Sequence, residues 1–381
     1  MKKTETKKIL IGILVVVCLL ASCVIVLKTP VKNTAPHVAY SKSDIDYSKQ
    51  AQAYMEFIGT KLPKRCSFFD QHDKTRAWIV SELTNAGYSR EQISLQKVDG
   101  HRGQNIVLKV DGADPSCDKF IVAGAHYDGD GVGDNGSGTA LLLAEAVGLK
   151  QHELPVTTYF VFFDAEEVGG FGATTFVNSL SEDQLNSILY MLNLDAIAFG
   201  DYCNIYGGNQ NPETKAITQT EVYDYACALA EDLGFNVYRT EDLDGYYAKH
   251  GEGPALDPLG LFTNPWTLQN PAPENTVDDS NHAYSPTTIP YSDHADFVQA
   301  GVPYIYFEAT NWYVADPNDP SISYIGYSDV GDVSLGENGV IMNTKYDNLE
   351  YLNEHFPGRS LEHFKLYSPL MSKIILEPYG L

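Results

Sequence analysis

An imidazole and three carboxylates, His126, Asp128, Asp130 and Asp134, are crowded into the stretch IVAGAHYDGDGVGDNGSG at residues 121–138. His126 and Asp128 are two positions apart, so an extended backbone carries both side chains on one face. Glycines at 129, 131 and 133 let the chain turn sharply before Asp134. Imidazole with carboxylates is the mixed nitrogen and oxygen donor set that Zn²⁺ takes. Three other chemistries compete for the same loop. A calcium loop would begin at Asp128, but Val132 and Thr139 fall where oxygen ligands are required. A dinucleotide loop could use Gly131, Gly133 and Gly136, yet a pyrophosphate would face Asp128, Asp130 and Asp134 where bare amides are needed. A solvated acidic turn is the plainest reading of the stretch taken alone.

The elements around the loop decide what else can reach it. Phe120 to Ala125 is an apolar run of strand length, and Asn135 or Ser137 can cap a helix whose apolar stripe includes Leu141, Leu142, Ala144 and Val147. Thr157 to Phe163 is a second buried run and ends Asp164-Ala165-Glu166-Glu167. Adjacent carboxylates at the end of a buried strand are costly unless a cation or solvent meets them. Ile188 to Leu194 is a third run, ending at Asp195, and His294 precedes a fourth at Val302 to Glu308. Strand ends of a parallel sheet line up along one edge, so these groups can meet there.

The remaining segments complete an α/β pattern. Helical spacing covers Tyr47 to Gly59, Asp73 to Gly87, Ala173 to Leu180, Glu221 to Gly234 and Ser360 to Leu376. Ile93 to Val98 and Asn105 to Val110 alternate as antiparallel edge strands, and Cys203 to Tyr206 is a short strand. The expected architecture is a three-layer α/β sandwich with a mixed, mainly parallel central sheet and helices on both faces. Thr240 to Tyr291 has no clear period and is rich in Pro, Gly, Asn and Asp, as befits a lid or pocket wall. Its His250 and His282 read as surface residues.

The 381 residues carry a formal charge of −24, and five Lys with one Glu in the first 30 leave −28 for the rest. Such acidity excludes nucleic acid or an anionic membrane surface as the partner of the globular part. Residues 1–28 combine a basic start with the apolar run Ile9 to Leu27, the pattern of a signal anchor, while Leu20-Ala21-Ser22-Cys23 resembles a lipoprotein cleavage box. Either places the globular part outside the cytoplasm, membrane-anchored or secreted, with contact to the membrane only through this segment. Residues 29–46 read as a tether and residues 47–381 as one domain. Cys66, Cys117, Cys203 and Cys227 would admit three pairings if all were joined.

Taken in order, HYDG, GVGDNGSG, FFDAEEVGGFGATTF, LNLDAIA and SDHADFVQAGVPYIYFEA resemble the signature of the leucyl-aminopeptidase-type di-zinc metallopeptidases, whose zinc-exopeptidase fold has this three-layer form. The likeness runs over roughly residues 47–381, and NTKYDNLEYL is similar to an HTxxDT-like segment with Asn343 where a His is common. The resemblance implies two zinc ions, one held by His126 and Asp195, the other by Glu167 and His294, with Asp134 bridging. The departure at position 343 is expected to touch no metal ligand. Asp128 would orient His126, and Glu166 would be the general base. The implied substrates are peptides with a free amino terminus. Glutaminyl cyclases share much of this set while working with one zinc, and a binding ectodomain that has lost catalysis is a further alternative.

Overall fold

The computed structural model describes residues 35–41, 43–201, 203–210, 217–235, 237, 292–310, 329–330, 332, 334–337 and 339–381. Along the chain come α1 (Ser48–Lys61), α2 (Asp70–Asn85), β1 (Ile93–Lys97), β2 (Gln104–Val110), β3 (Phe120–His126), α3 (Gly136–Leu149) and β4 (Thr157–Phe163). Next are α4 (Phe171–Asn178), α5 (Glu182–Ser187), β5 (Ile188–Leu194), β6 (Asn204–Gln210), β7 (Ile217–Thr218) and α6 (Glu221–Asp232). The last are α7 (Ala295–Gln299), β8 (Tyr304–Glu308), α8 (Leu349–His355) and α9 (Arg359–Leu376). The expected anchor at 1–28, most of the tether, and the 240–291 insert with His250 and His282 lie outside the described residues. Among the described residues no helix is long and apolar enough to cross a membrane.

The strands form one sheet in the order β1-β2-β4-β3-β5-β8-β6-β7. Its four inner strands, β4, β3, β5 and β8, run parallel. Antiparallel pairs flank them: β1 with β2 and β2 with β4 on one side, β8 with β6 and β6 with β7 on the other. The expected antiparallel edge pair is therefore present, and the parallel part is confined to the centre. Along β3, Ile121, Ala123 and Ala125 enter one apolar cluster while Phe120 and Val122 enter another across the sheet. Both faces are thus covered, which gives the three layers.

Two elements differ from their sequence pattern for reasons visible in the packing. Helix α1 does not stop at Gly59 but runs on to Lys61. A Cβ at Gly59 would lie 2.5 Å from Leu349 Cδ1, so this glycine serves the close approach of α8. Helix α3 is buried almost all round rather than along a stripe, since it is wedged between the sheet and α1. It starts where expected, with the Asn135 side chain accepting from Gly138 N.

Glu145 of α3 is fully buried and accepts from Ser368 and Ser372 of α9, while Tyr47 N donates to Ser368 Oγ. Burial pushes its carboxyl well above the ordinary range, against the lowering effect of the two hydroxyls. A raised folded-state pKa contributes stability that is full below the ordinary carboxylate value, about 4.3, and is lost as pH rises through the raised one. Thermal melting between about pH 5 and 9 should therefore show wild-type stability declining across this window and a flatter profile for Glu145→Gln, which keeps the shape and one acceptor oxygen without the charge. Equal slopes in the two proteins would remove Glu145 as the source.

Candidate metal centre

The carboxyl ends of β3, β4 and β5 lie together at the point where the chain leaves β3 for β4 on one side and β4 for β5 on the other. Ligand sites of open α/β sheets occupy such a crevice. His126 is the last residue of β3; its Nε2 lies 3.1 Å from Asp134 Oδ1 and 3.4 Å from Asp195 Oδ1. Among the described residues, the donor atoms of His126, Asp134 and Asp195 form a group all within 4.8 Å of one another. His126 Nε2, Asp134 Oδ1 and Asp195 Oδ1 are buried without hydrogen-bond partners, as are Glu167 Oε1 and His294 Nε2. Buried polar atoms are ordinarily paired. The compact three, one imidazole and two carboxylates left orphaned, fit a divalent cation, and their N/O chemistry fits zinc.

The electrostatics agree. Burial, reinforced by Asp195 and Asp293 against the pull of His126, pushes the Glu166 carboxyl up to about 9. Burial and the Asp134 carboxylate push Glu167 up to about 8. Burial works against the charged form of His126, but the carboxylates of Glu166 and Asp195 outweigh it and hold this imidazole well above its usual value. The protein alone does not neutralise the cluster, so a bound cation would stabilise every carboxylate in it. His294 is driven down to about 3 by burial, against Asp195, and is a neutral imidazole.

The loop carrying Asp134 is laced to distant segments. Arg65, fully buried, donates from Nε to Tyr127 O at 3.0 Å and from Nη2 to Gly131 O at 2.6 Å, and its backbone N–H reaches Gly129 O. Asp347 accepts from Gly133 N at 2.6 Å and Asp134 N at 3.1 Å. A Cβ on Gly131 would lie 2.1 Å from Asp347 Oδ2, so only glycine admits this approach.

Glu166 and Glu167 are aimed by the turn after β4. Ala165 takes a left-handed φ of 62°, and the preceding Asp164 is clamped by His72 Nε2 at 2.8 Å, Tyr127 Oη at 2.5 Å and Gln104 N at 2.7 Å. Asp128 Oδ1 accepts from Glu166 N at 3.2 Å and stands 3.5 Å from His126 Nδ1, the outer limit of a hydrogen bond. Glu166 Oε2 comes within 3.9 Å of His126 Nε2.

Of the sequence-derived residues, then, His126, Asp134 and Asp195 converge, with Asp128 and Glu166 against His126. Glu167 and His294 are not part of the compact group. Glu167 Oε1 is close to Gly129, and His294 packs its ring against Tyr304 and Tyr306. One expectation is corrected: the departure at position 343 does touch a candidate ligand, since Asn343 Nδ2 donates to Asp134 Oδ2 at 2.9 Å. The turn ending at Asp347 folds its segment back over the loop. Sequence reading also missed Arg65, Asp347 and Asp293, whose two buried oxygens have no partner. Asp347 and Asp293 sit inside motifs already singled out, NTKYDN and SDHA, whereas Arg65 stands in no pattern. Cys66, Cys117 and Cys203 are free cysteines, so the fully paired set does not form among the described residues.

Known proteins resemble this chain to different degrees. A glutaminyl cyclase from an Acidobacteriales bacterium superposes with a TM-score of 0.57 at 17% identity, over 91% of this chain and 99% of that one. The LapA aminopeptidase of Legionella pneumophila gives 0.54 at 15% identity, over 91% of this chain and 77% of that one. At these identities the likeness establishes the fold. In sequence, leucine aminopeptidase 2 of Trichophyton rubrum is 34% identical over 110 residues, 28% of this chain, and the match spans 22% of that relative's length. Residues 105–258, the span holding His126, Asp128, Asp134, Glu166, Glu167 and Asp195, match the sequence model of Peptidase family M28.

Proposed function

We propose that the chain is a zinc-dependent aminopeptidase that removes the amino-terminal residue from peptides outside the cytoplasm. The observation that carries this reading is the meeting of unpartnered His126, Asp134 and Asp195 atoms with Glu166 beside them. His126, Asp134 and Asp195 would hold the ion, with Glu167 and His294 as the remaining expected ligands. When bound, zinc supplies Lewis acidity that polarises a peptide carbonyl and acidifies a water molecule. Glu166 takes the proton of the attacking water and passes it to the leaving amine. Burial holds its carboxyl up at about 9 in the protein alone, and the charge of a bound cation would lower it toward the neutral range that a general base needs. Asp128 holds the backbone of Glu166 and faces Nδ1 of His126, so one side chain sets the orientation of both. The carboxylate-rich crevice attracts the free α-ammonium group and so favours the first residue of the peptide. Residues 47–381 form the catalytic domain in this reading, tethered through 29–46 to a signal anchor or lipoprotein segment at 1–28.

A second reading, glutaminyl cyclisation, is favoured by the Asn343 contact that occupies one oxygen of Asp134. Zinc analysis of the purified protein beside a screen of aminoacyl and Gln-peptide substrates separates them. Release of a free amino acid supports the peptidase, and loss of ammonia from a Gln-peptide supports the cyclase. Turnover of neither by zinc-loaded protein would leave a binding ectodomain and sink the enzymatic account.

A further inference from the structure

Asn105 stands in β2, and its side chain is fully buried. Asn is disfavoured inside a strand, and a buried amide is costly unless its polar atoms are used. Here all of them are. Oδ1 accepts from Asp164 N at 3.0 Å, while Nδ2 donates to Gly172 O at 2.8 Å and to Gln96 Oε1 at 2.9 Å. Asp164 directly follows β4, and Gly172 lies in the first turn of α4. One amide therefore joins the two ends of the turn that carries Glu166 and Glu167.

The turn is drawn tight on this staple. A Cβ on Gly172 would lie 2.2 Å from Asp164 O and 2.6 Å from Asn105 Oδ1, so glycine is what admits the approach. Inside the turn, Gly169 N and Gly170 N donate to Glu166 O at 2.8 and 2.9 Å, and Phe171 N donates to Ala165 O at 3.1 Å. Ala165, between the staple and Glu166, keeps its left-handed φ, which a residue with a Cβ holds only where its surroundings dictate it.

We propose that Asn105 is a positioning residue of the reaction: by stapling Asp164 to Gly172 it holds the turn in the shape that presents Glu166 to the attacking water. The inference rests on the aminopeptidase reading above. Gln96, the third partner of the amide, belongs to β1 and stands outside the turn. Gln96→Ala thus takes one hydrogen bond from Asn105 and leaves the staple in place.

The test uses the full chain loaded with zinc. Asn105→Ala is expected to lower kcat about 10²-fold, the cost of misplacing a reacting group by about 1 Å, with KM little changed. In a Glu166→Gln background the same substitution should cost far less, since the group it misplaces is already disabled. Amide hydrogen exchange should quicken across residues 164–172 and stay slow in β3. Gln96→Ala should match the wild type in kinetics and exchange alike. Equal losses in the two backgrounds, or a folded Asn105→Ala protein with wild-type kcat, would overturn the inference and leave the aminopeptidase reading standing. Should Asn105→Ala not fold, the wild type decides: amides of Gly169, Gly170 and Phe171 as slow as those of β4 support the staple, and fast exchange there overturns it. A zinc-loaded wild type that releases no amino acid overturns the aminopeptidase reading instead, and the exchange comparison still decides whether Asn105 holds the turn.

Discussion

Glu166→Gln is expected to bind zinc as the wild type does and to lose about 10²–10⁴-fold in kcat, the range general-base removal costs. The two halves of this expectation come from separate observations. Glu166 is outside the compact donor group, so its loss should leave metal content unchanged. Its carboxylate is nonetheless 3.9 Å from His126 Nε2, close enough to act on a water beside the ion. Gln keeps the size and the backbone hydrogen bond to Asp128 but cannot take a proton. Steady-state kinetics with an aminoacyl substrate, beside metal analysis of the same preparation, checks both halves. An active, zinc-loaded Glu166→Gln enzyme would remove Glu166 from the mechanism; zinc loss would make it a ligand instead.

Asp134→Ala is expected to abolish tight zinc binding, and turnover with it. Substitutions around a ligand cost about 10–100-fold in metal affinity, and removing a ligand costs more. The loop itself should survive, because Arg65 and Asp347 hold it through backbone groups of Tyr127, Gly131, Gly133 and residue 134. Circular dichroism should therefore remain native while zinc content falls far below one per chain. Retention of a full equivalent of zinc by Asp134→Ala would remove Asp134 from the ligand set.

The centre of the fold was legible because its strands are long, apolar and unbroken, and each ends in a residue that such a strand would not carry for packing. His126, the Glu166-Glu167 pair and Asp195 stand out for that reason. Less legible was everything that depends on approach from afar. Gly59 ends the helical spacing in the sequence, yet it lies within the helix as a packing notch for Leu349. The stripe read on α3 disappears because the helix is enclosed on every side. Arg65 gives no signal at all, since its targets are carbonyl oxygens 62 and 66 residues away, and carbonyls have no sequence identity. Asn343 was recognised as a departure from the resembling motif, but its contact with Asp134 spans 209 residues and only the tertiary structure reveals it.

The grip of Asp347 on Gly133 and Asp134 reaches across more than half of the polypeptide. Closing so wide a circuit costs chain entropy that only a nearly finished fold can offset. A polypeptide emerging from the ribosome would have β3 and its histidine early, but not the brace that shapes the turn beyond it. If the centre holds a metal as proposed, competence to capture it is thus a late event in the life of each molecule, deferred until Asp347 has been made.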